Sequence, residues 1–223
     1  MHDKTALIAG ATGVVGRELL RLLLEHDYYD RIVVVTRKEL NIKDNRIDVL
    51  ILKDFEQLPQ YADRINVDHV YCLIGATLRN AGTKDNFRKI NHDFPLLLAQ
   101  TVKDLPNFEQ FVFASSYGAN ANSPLLFNRI KGETEEAMQR IGLKSLKIFR
   151  YSLLMGFKGE WRWGDELSKA MSALLSFFVI GSRRKMLMIQ GAEVAKSMFL
   201  IAQEGKEGTD KYRPQDMHRL AHA

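Results

Sequence analysis

The sequence predicts an α/β fold built on a doubly wound parallel sheet. Apolar runs rich in Val and Ile alternate with segments of helical periodicity, and the runs are nearly continuous, as strands covered on both faces are. Such alternation is typical of parallel strands joined by crossover helices. A glycine-rich junction follows the first run directly. Together these observations predict a Rossmann-like doubly wound sheet with a small C-terminal lobe.

The predicted strands are the apolar runs Thr5–Ala9, Arg31–Thr36, Asp48–Leu52, His69–Ile74, Gln110–Ala114 and Leu146–Arg150. The predicted helices span Val15–Glu25, about Lys84–Lys103 and about Leu125–Ile141. Ser123 and Pro124 precede the third helix and predict its start, as a cap residue followed by a proline at the first helical position.

A glycine-rich turn joins the first strand to the first helix: Gly10, Ala11, Thr12, Gly13, Val14, Val15 and Gly16. Glycines let the backbone turn tightly and approach a phosphate closely. A helix that begins at about Val14 points free N–H groups and its positive dipole end at an anion. A tight turn without a ligand is the alternative. The strand before the turn and the helix after it favour a dinucleotide diphosphate.

Arg37 and Lys38 follow the second strand, where NAD-selective folds place an acidic residue about twenty residues after the glycines. A carboxylate would repel a 2′-phosphate, whereas a guanidinium can bind it with two parallel hydrogen bonds. We therefore expect NADP(H) to be preferred over NAD(H). A solvated loop arginine is the alternative interpretation.

The alternation of predicted strands and helices changes after Tyr151. Residues 156–164 are loop-like, a helix is predicted to about Phe178, a short strand at Lys185–Ile189 and a helix at Glu193–Gln203. We expect a single domain over residues 1–223, with a cofactor core to about residue 155. The rest forms a substrate-side lobe over the carboxyl edge of the sheet, where ligands of such folds bind.

The composition is that of an ordinary globular chain of 223 residues, 46% hydrophobic and 26% charged, with a net charge of +5. Its basic residues are scattered except at Arg183–Lys185, so no nucleic-acid partner is predicted. The single cysteine, Cys72, lies in the apolar run Val70–Ile74. That position favours a buried thiol over a nucleophile, and one cysteine favours a reducing compartment.

Several further features are predicted to be absent. The histidines and carboxylates show no metal-ligand spacing, so no metal is expected. The first strand leaves no room for a signal peptide, and no apolar stretch is long enough to cross a membrane, which favours the cytoplasm. The stretch Met171–Lys185 has apolar residues beside a basic cluster, but such a stretch more often covers a pocket or a subunit contact than a membrane surface. We expect a monomer or a homodimer.

Several strings of the chain resemble the short-chain dehydrogenase/reductase superfamily. They are GATGVVGRELL, VVVTRKEL, YCLIGATLRNAGTKDNFRKINHDF, FVFASSYGANANS and FNRIKGETEEAM. Together they are similar to its atypical NAD(P)H-binding branch, that of the Tat-interactive-protein-like oxidoreductases and the bacterial sugar-nucleotide epimerase-like proteins. The resemblance spans roughly residues 4 to 205 and is weakest after Gly156.

The resemblance implies roles for residues at the strand ends. The glycine turn and Arg37 would bind the cofactor diphosphate and the adenosine ribose. Asp54-Phe55 would flank the adenine, and Gly75-Ala76-Thr77 would line the inner ribose. Ser115-Ser116 would hold the substrate oxygen.

Position 127 departs from the family pattern, which pairs a tyrosine with a lysine four residues later on one helix face. That lysine lowers the pKa of the phenol and holds the nicotinamide ribose, and the phenol moves the substrate proton during hydride transfer. Here the pair reads Phe127 and Lys131. Lys131 keeps its implied roles, whereas phenylalanine has no proton to move. A core aromatic and a surface lysine are the alternative.

Two tyrosines lie near this departure. Tyr117 follows Ser116 directly and is the candidate substitute phenol. Tyr151 follows Arg150 where the family usually has proline, in a segment that contacts the nicotinamide end. The substrate side is therefore altered in two places, while the adenosine side is intact.

Two functions from different classes follow. The first is an NADP(H)-dependent oxidoreductase of small carbonyl or sugar-like substrates that uses Ser116, Lys131 and either Tyr117 or water as the acid. The second is a non-catalytic NADP(H)-sensing protein whose C-terminal lobe is recognised by a protein partner. Phe127 favours the second function, and the retained serines and Lys131 favour the first.

Overall fold

A computed structural model describes residues 4–151, 153–155 and 188–223. Its strands are β1 Thr5–Ala9, β2 Arg31–Thr36, β3 Ile47–Ile51, β4 His69–Cys72, β5 Gln110–Ser116, β6 Ser145–Tyr151, β7 Leu153–Met155, β8 Met188–Gln190 and β9 Gly208–Tyr212. Seven of them form a parallel sheet in the order β3-β2-β1-β4-β5-β6-β9. Strands β7 and β8 pair separately, also in parallel.

Helices cover both faces of this sheet. They are α1 Val14–Glu25, α2 Leu78–Ala81, α3 Lys84–Arg88, α4 Phe94–Val102, α5 Leu126–Ile141, α6 Gly191–Gln203 and α7 Pro214–Ala221. A 3₁₀ segment spans Phe55–Ile65, and a single π-helical turn spans Lys89–Asp93. The predicted class, a doubly wound α/β fold of the Rossmann type, is confirmed.

The central strands are apolar on both faces because each face has its own core. On one side Ile8 and Val34 pack with Leu19 of α1 and Met198 of α6. On the other side Leu7, Val33 and Phe111 pack with Leu98 of α4 and Met138 of α5. Successive side chains of a strand point to opposite faces, so a sheet covered twice needs the continuous apolar runs that the sequence shows.

Two helix predictions differ from the structure. The helix predicted over Lys84–Lys103 is interrupted by the π-helical turn. The third helix begins at Leu126, after an N-cap residue, Leu125, whose side chain makes no capping bond. Ser123 therefore does not cap that helix, and its hydroxyl instead accepts a hydrogen bond from the N–H of Leu125 at 3.2 Å. The proline signal was wrong by two positions, because Pro124 belongs to this turn.

The C-terminal residues add to the main fold. Strand β9 pairs with β6, and α6 packs its buried face into the core that contains α1. Neither β9 nor α7 is predicted from the sequence. Residues 156–187 lie outside the described part, and with them the predicted helix to Phe178 and the stretch Met171–Lys185. A lobe over residues 156–223 therefore stays a prediction.

Candidate functional site

The carboxyl ends of the parallel strands meet at one edge of the sheet. The strand order reverses direction at β1, between β2 on one side and β4 on the other. Ligands of open α/β sheets bind in the crevice at such a switch point. Here the two strand ends come close together, because a Cβ on Gly10 would lie 2.6 Å from the carbonyl oxygen of Leu73.

The glycine turn forms the start of this crevice. Gly10 has a φ of +96°, which a residue with a side chain rarely adopts, and its carbonyl accepts a hydrogen bond from the N–H of Gly13 at 3.1 Å. Helix α1 begins at Val14, as the sequence predicts. Within the described residues no side chain caps it and its first turn holds no acid, so the helix end presents backbone N–H groups to an anion.

The other residues of the turn contribute in different ways. Thr12 and Gly13 are exposed, while Ala11 and Val15 are buried in the core. A Cβ on Gly13 would meet only the carbonyl oxygen of Gly10, at 3.4 Å. The space over Gly13 is therefore open on the side where a diphosphate would approach, and Ala11 and Val15 could offer it backbone atoms alone.

Arg37 and Lys38 lie exposed at the end of β2. The strand register pairs Ala9 with Val35, which puts the residues after β1 and after β2 next to each other at the edge. The hydroxyl of Thr36 fixes this turn, since it accepts from the N–H of Lys38 and donates to its carbonyl. The Arg37 guanidinium makes no hydrogen bond or ion pair with any described residue and is free to meet an anion.

Asp54 and Phe55 follow β3 and lie in different surroundings. Asp54 is exposed, and its carboxylate accepts a hydrogen bond from the N–H of Glu56 at 3.0 Å. Phe55 is buried, with its ring centroid 4.9 Å from that of Phe94. Of the two residues, Asp54 alone offers a side chain at the edge, while the phenyl ring of Phe55 belongs to the core.

The segment Gly75-Ala76-Thr77 after β4 is held by Asn91, a fully buried residue of the π-helical turn. The Asn91 side chain accepts from the N–H of Ala76 at 3.3 Å and donates to its carbonyl at 3.1 Å. Thr77 caps α2. No role for Asn91 is predicted from the sequence, although it lies in the KINHDF string. Its buried amide fixes the loop that would line the inner ribose.

Lys131 is a charged residue that is buried at this edge. Its side chain is 4% exposed, its ammonium donates to the carbonyl oxygen of Ala114 at 3.0 Å, and it lies 4.8 Å from the ring centroid of Phe113. A Cβ on Gly75 would lie 4.0 Å from its Nζ. Burial lowers the pKa of Lys131 to about 8. The alternative of a surface lysine is therefore wrong.

The two serines at the end of β5 point to different partners. The hydroxyl of Ser115 donates to buried Glu135 at 2.5 Å. The hydroxyl of Ser116 donates to the side-chain oxygen of Asn128 at 3.1 Å. Ser116 is thus placed near the start of α5, while Ser115 is bound within a charged network.

Glu135, one turn after Lys131, is the centre of that network and was missed in the sequence. It is 1% exposed and accepts from both Nε and Nη2 of Arg150. The ammonium of Lys211 on β9 lies 3.4 Å from the same carboxylate. The sequence feature that could have revealed Glu135 is its i, i+4 spacing from Lys131. This spacing places both side chains on the face of α5 that meets the sheet.

The remaining predicted residues lie near the carboxyl ends of β5 and β6 and at the start of α5. Phe127 lies one turn before Lys131 and is 43% exposed, with its ring centroid 6.1 Å from that of Phe87. Tyr117 is 45% exposed. Tyr151 is half-buried, burial raises the pKa of its phenol, and its carbonyl accepts from the N–H of Tyr117 at 3.0 Å. Phe127 is therefore no core aromatic.

Comparison with known proteins places this geometry in a family. The model of the NAD dependent epimerase/dehydratase family matches residues 6–143. Protein HTATIP2 of Rattus norvegicus is 30% identical over 173 residues, which are 76% of this chain and 70% of that protein. Protein FMP52-1, mitochondrial, of Scheffersomyces stipitis is 29% identical over 215 residues, 93% of this chain and 92% of that protein.

Solved structures share the fold at low identity. MoeE5 in complex with UDP-glucose and NAD superposes with a TM-score of 0.69 at 15% identity, over 97% of this chain and 80% of that one. A short chain dehydrogenase from Burkholderia cenocepacia J2315 in complex with NADP gives a TM-score of 0.66 at 14% identity, over 99% and 93%. NAD is bound in one of these proteins and NADP in the other.

Two findings concern the expected absence of a membrane span and the expected cytoplasmic location. Across residues 4–151, 153–155 and 188–223, no helix has the length and apolar character needed to cross a bilayer. The FMP52 relatives, in contrast, are named as mitochondrial, which does not fit a purely cytoplasmic location.

The family match and the relatives agree with the resemblance read from the strings, and a nicotinamide dinucleotide is the class of cofactor they support. The chain belongs to the NAD dependent epimerase/dehydratase family, in the atypical short-chain dehydrogenase/reductase branch of HTATIP2-type proteins.

Proposed function

We propose that this protein is an NADP(H)-dependent oxidoreductase that reduces small carbonyl or sugar-like substrates. The observation that carries the proposal is the buried ammonium of Lys131, held between the ends of β4 and β5. A charge is buried at a cost in free energy, so such a lysine is a candidate for a function at the edge where the cofactor of this fold binds.

Arg37 supports the choice of NADP(H) over NAD(H). Its exposed guanidinium is free of partners among the described residues and lies one strand away from the glycine turn. A 2′-phosphate at this place would accept hydrogen bonds from the Arg37 guanidinium and from the neighbouring ammonium of Lys38. The guanidinium can bind it with two parallel hydrogen bonds.

Different side chains of the site have different roles in the proposed reduction. When bound, NADPH supplies a hydride to the carbonyl carbon, and the carbonyl oxygen must then gain a proton. Ser116 would donate a hydrogen bond to that oxygen by turning its hydroxyl hydrogen away from the side-chain oxygen of Asn128, which accepts it in the structure. Lys131, with a pKa of about 8, is a suitable proton source near neutral pH, through a water molecule or through Tyr117.

Four large apolar or aromatic side chains are exposed near the carboxyl edge. Leu78, Tyr117, Leu125 and Phe127 are each at least 43% exposed, and all four follow strand ends or begin helices at the carboxyl edge. An apolar rim of this kind suits the hydrocarbon part of an aldehyde, ketone or quinone.

The test pairs binding with turnover. Wild type and Lys131→Met are titrated with NADPH and then assayed for NADPH oxidation against a panel of aldehydes, ketones and quinones. Lys103→Met, at an exposed lysine after α4, is the matched control. We expect turnover in wild type and in the control, and a loss of at least about a hundredfold in Lys131→Met. Tight NADPH binding without turnover of any carbonyl would overturn the proposal.

A further inference from the structure

A second cluster of polar side chains lies where α6 meets α7. It consists of Glu193, in the first turn of α6, and of His218 and His222, on α7 and just after it. One carboxylate oxygen and one nitrogen of each imidazole all lie within 4.8 Å of one another. We propose that this cluster, the α6–α7 triad, binds a divalent transition-metal ion of the zinc class.

The carboxylate of Glu193 is fixed by the backbone. Its Oε2 accepts a hydrogen bond from the N–H of Gln190 at 2.9 Å, as part of a capping box at the start of α6. Its Oε1 is left facing both histidines, 2.9 Å from Nδ1 of His218 and 3.6 Å from Nε2 of His222. The side chain is 17% exposed, so its position is determined by packing as well.

The ring of His222 has a defined orientation. Its Nδ1 lies 2.8 Å from the carbonyl oxygen of His218, which can only accept, so Nδ1 carries the hydrogen. In a neutral ring, Nε2 then has a free lone pair, and this lone pair faces a carboxylate oxygen. A metal ion between these two acceptors would bind both lone pairs, as a proton on Nε2 or a water molecule also would. A ring N–H donated to a backbone carbonyl is also the usual outer contact of a metal-bound histidine.

The donor set and its spacing suit zinc. Histidines at i and i+4 lie on the same side of a helix, which is the spacing of paired zinc ligands. Two imidazoles and one carboxylate, with a fourth position open to water, are a known zinc ligand set. The rings of His218 and His222 are 65% and 57% exposed, so an ion can reach them from solvent. The expectation that no histidines have metal-ligand spacing missed His218 and His222, and the third ligand, Glu193, lies 25 positions before His218.

The α6–α7 triad stands close to the support of the glycine turn. A Cβ on Gly191, the first residue of α6, would lie 2.9 Å from Cγ1 of Val14, the first residue of α1. A metal ion that joins α7 to the first turn of α6 therefore stiffens the helix that packs against the start of α1. We expect it to raise thermal stability.

The test uses full-length protein without a polyhistidine tag, treated with a chelator and dialysed at about pH 8, where imidazole is neutral. Calorimetric titration with Zn²⁺ should show saturation near one equivalent and a higher unfolding temperature. His218→Ala, His222→Ala and Glu193→Gln should each weaken the affinity at least about tenfold. Co²⁺ should give a visible absorption band that the same variants lose.

His92→Ala is the matched control, because His92 also contacts a carboxylate, that of Asp93, at 2.7 Å. It should bind zinc as wild type does. Circular dichroism of the metal-free variants shows whether each is folded, and a misfolded alanine variant is replaced by His218→Gln or His222→Gln. The absence of saturable binding would mean that a proton and not a metal ion lies in the triad, and an equal loss in His92→Ala would mean that zinc does not bind specifically there; either result would refute the proposal.

Discussion

The carbonyl oxygen of Gly10 lies 2.2 Å from the place that a Cβ on Gly16 would take. Gly16 must therefore lack a side chain for the turn to close on the helix. Gly13 differs, because a Cβ there would make only an ordinary contact with the same oxygen, at 3.4 Å. One glycine of the turn is needed for the fold and another is open to a ligand.

This difference predicts opposite results for two substitutions. Gly13→Val should leave the free energy of unfolding within about 1 kcal/mol of wild type and abolish dinucleotide binding, because the side chain fills the space of the diphosphate. Gly16→Ala should lower the free energy of unfolding by at least about 2 kcal/mol through overpacking. Urea unfolding and a binding titration on the same samples decide the matter. Retained binding in Gly13→Val would show that the turn is only structural.

Arg37 is expected to set the cofactor preference. Arg37→Ala should weaken NADP(H) binding roughly tenfold to a hundredfold, the value of a hydrogen-bonded charge, and leave NAD(H) binding nearly unchanged. Lys43→Ala, at another exposed cation of the loop after β2, should change neither affinity. Fluorescence titrations with both cofactors provide the measurement. Equal affinities of wild type for NADPH and NADH would contradict the prediction.

Phe127→Tyr should restore a proton donor one helical turn from the Lys131 ammonium. The phenol would gain a lowered pKa from the nearby charge, and carbonyl reduction should rise by at least about tenfold. The assay is NADPH oxidation with the best substrate of the panel. Lys131→Met in the same background should remove the gain.

Tyr117→Phe distinguishes the alternative source of the proton. If the wild-type enzyme already uses Tyr117, this variant should lose activity and Phe127→Tyr should add little. A gain in Phe127→Tyr together with an unaffected Tyr117→Phe would assign the missing proton to water. Tyr151 is a less suitable donor, because burial raises the pKa of its phenol.

The stability contribution of Lys131 should depend on pH. Its pKa is about 8 in the folded protein and 10.5 for the free side chain, so the unfolded chain holds the proton more tightly. The charged form therefore destabilises the fold fully below about pH 8, and this effect fades as the pH rises to 10.5. Lys131→Met should raise the free energy of unfolding at neutral pH by about 3 kcal/mol at most.

Urea unfolding at about pH 7 and at about pH 9.5 measures this difference between the variant and wild type. The difference should shrink at the higher pH. Lys103→Met, at an exposed lysine, should show no such trend. A constant difference between Lys131→Met and wild type would mean that lost packing, and not the charge, determines its stability.

The sequence predicts the strands well where both faces of the sheet are covered. Short runs rich in Val and Ile, such as Arg31–Thr36, favour a strand, and β2 has these bounds. Strand β9 reads Gly-Thr-Asp-Lys-Tyr and is half exposed, since it lies at the sheet edge, so its sequence lacks the apolar signal. The partners of Asn91 and Glu135 are distant in sequence. Their roles depend on tertiary contacts that periodicity does not encode.

The position of β9 has a consequence for how the chain acquires its structure during synthesis. The outer edge of β6 and the buried ammonium of Lys147 are both completed by residues more than sixty positions later, through the carboxylate of Asp210. A nascent chain that ends before that point exposes an unpaired strand edge beside an uncompensated charge. We therefore expect the ribosome-bound protein to stay incompletely folded until β9 emerges, which makes the half-made chain a natural client of chaperones.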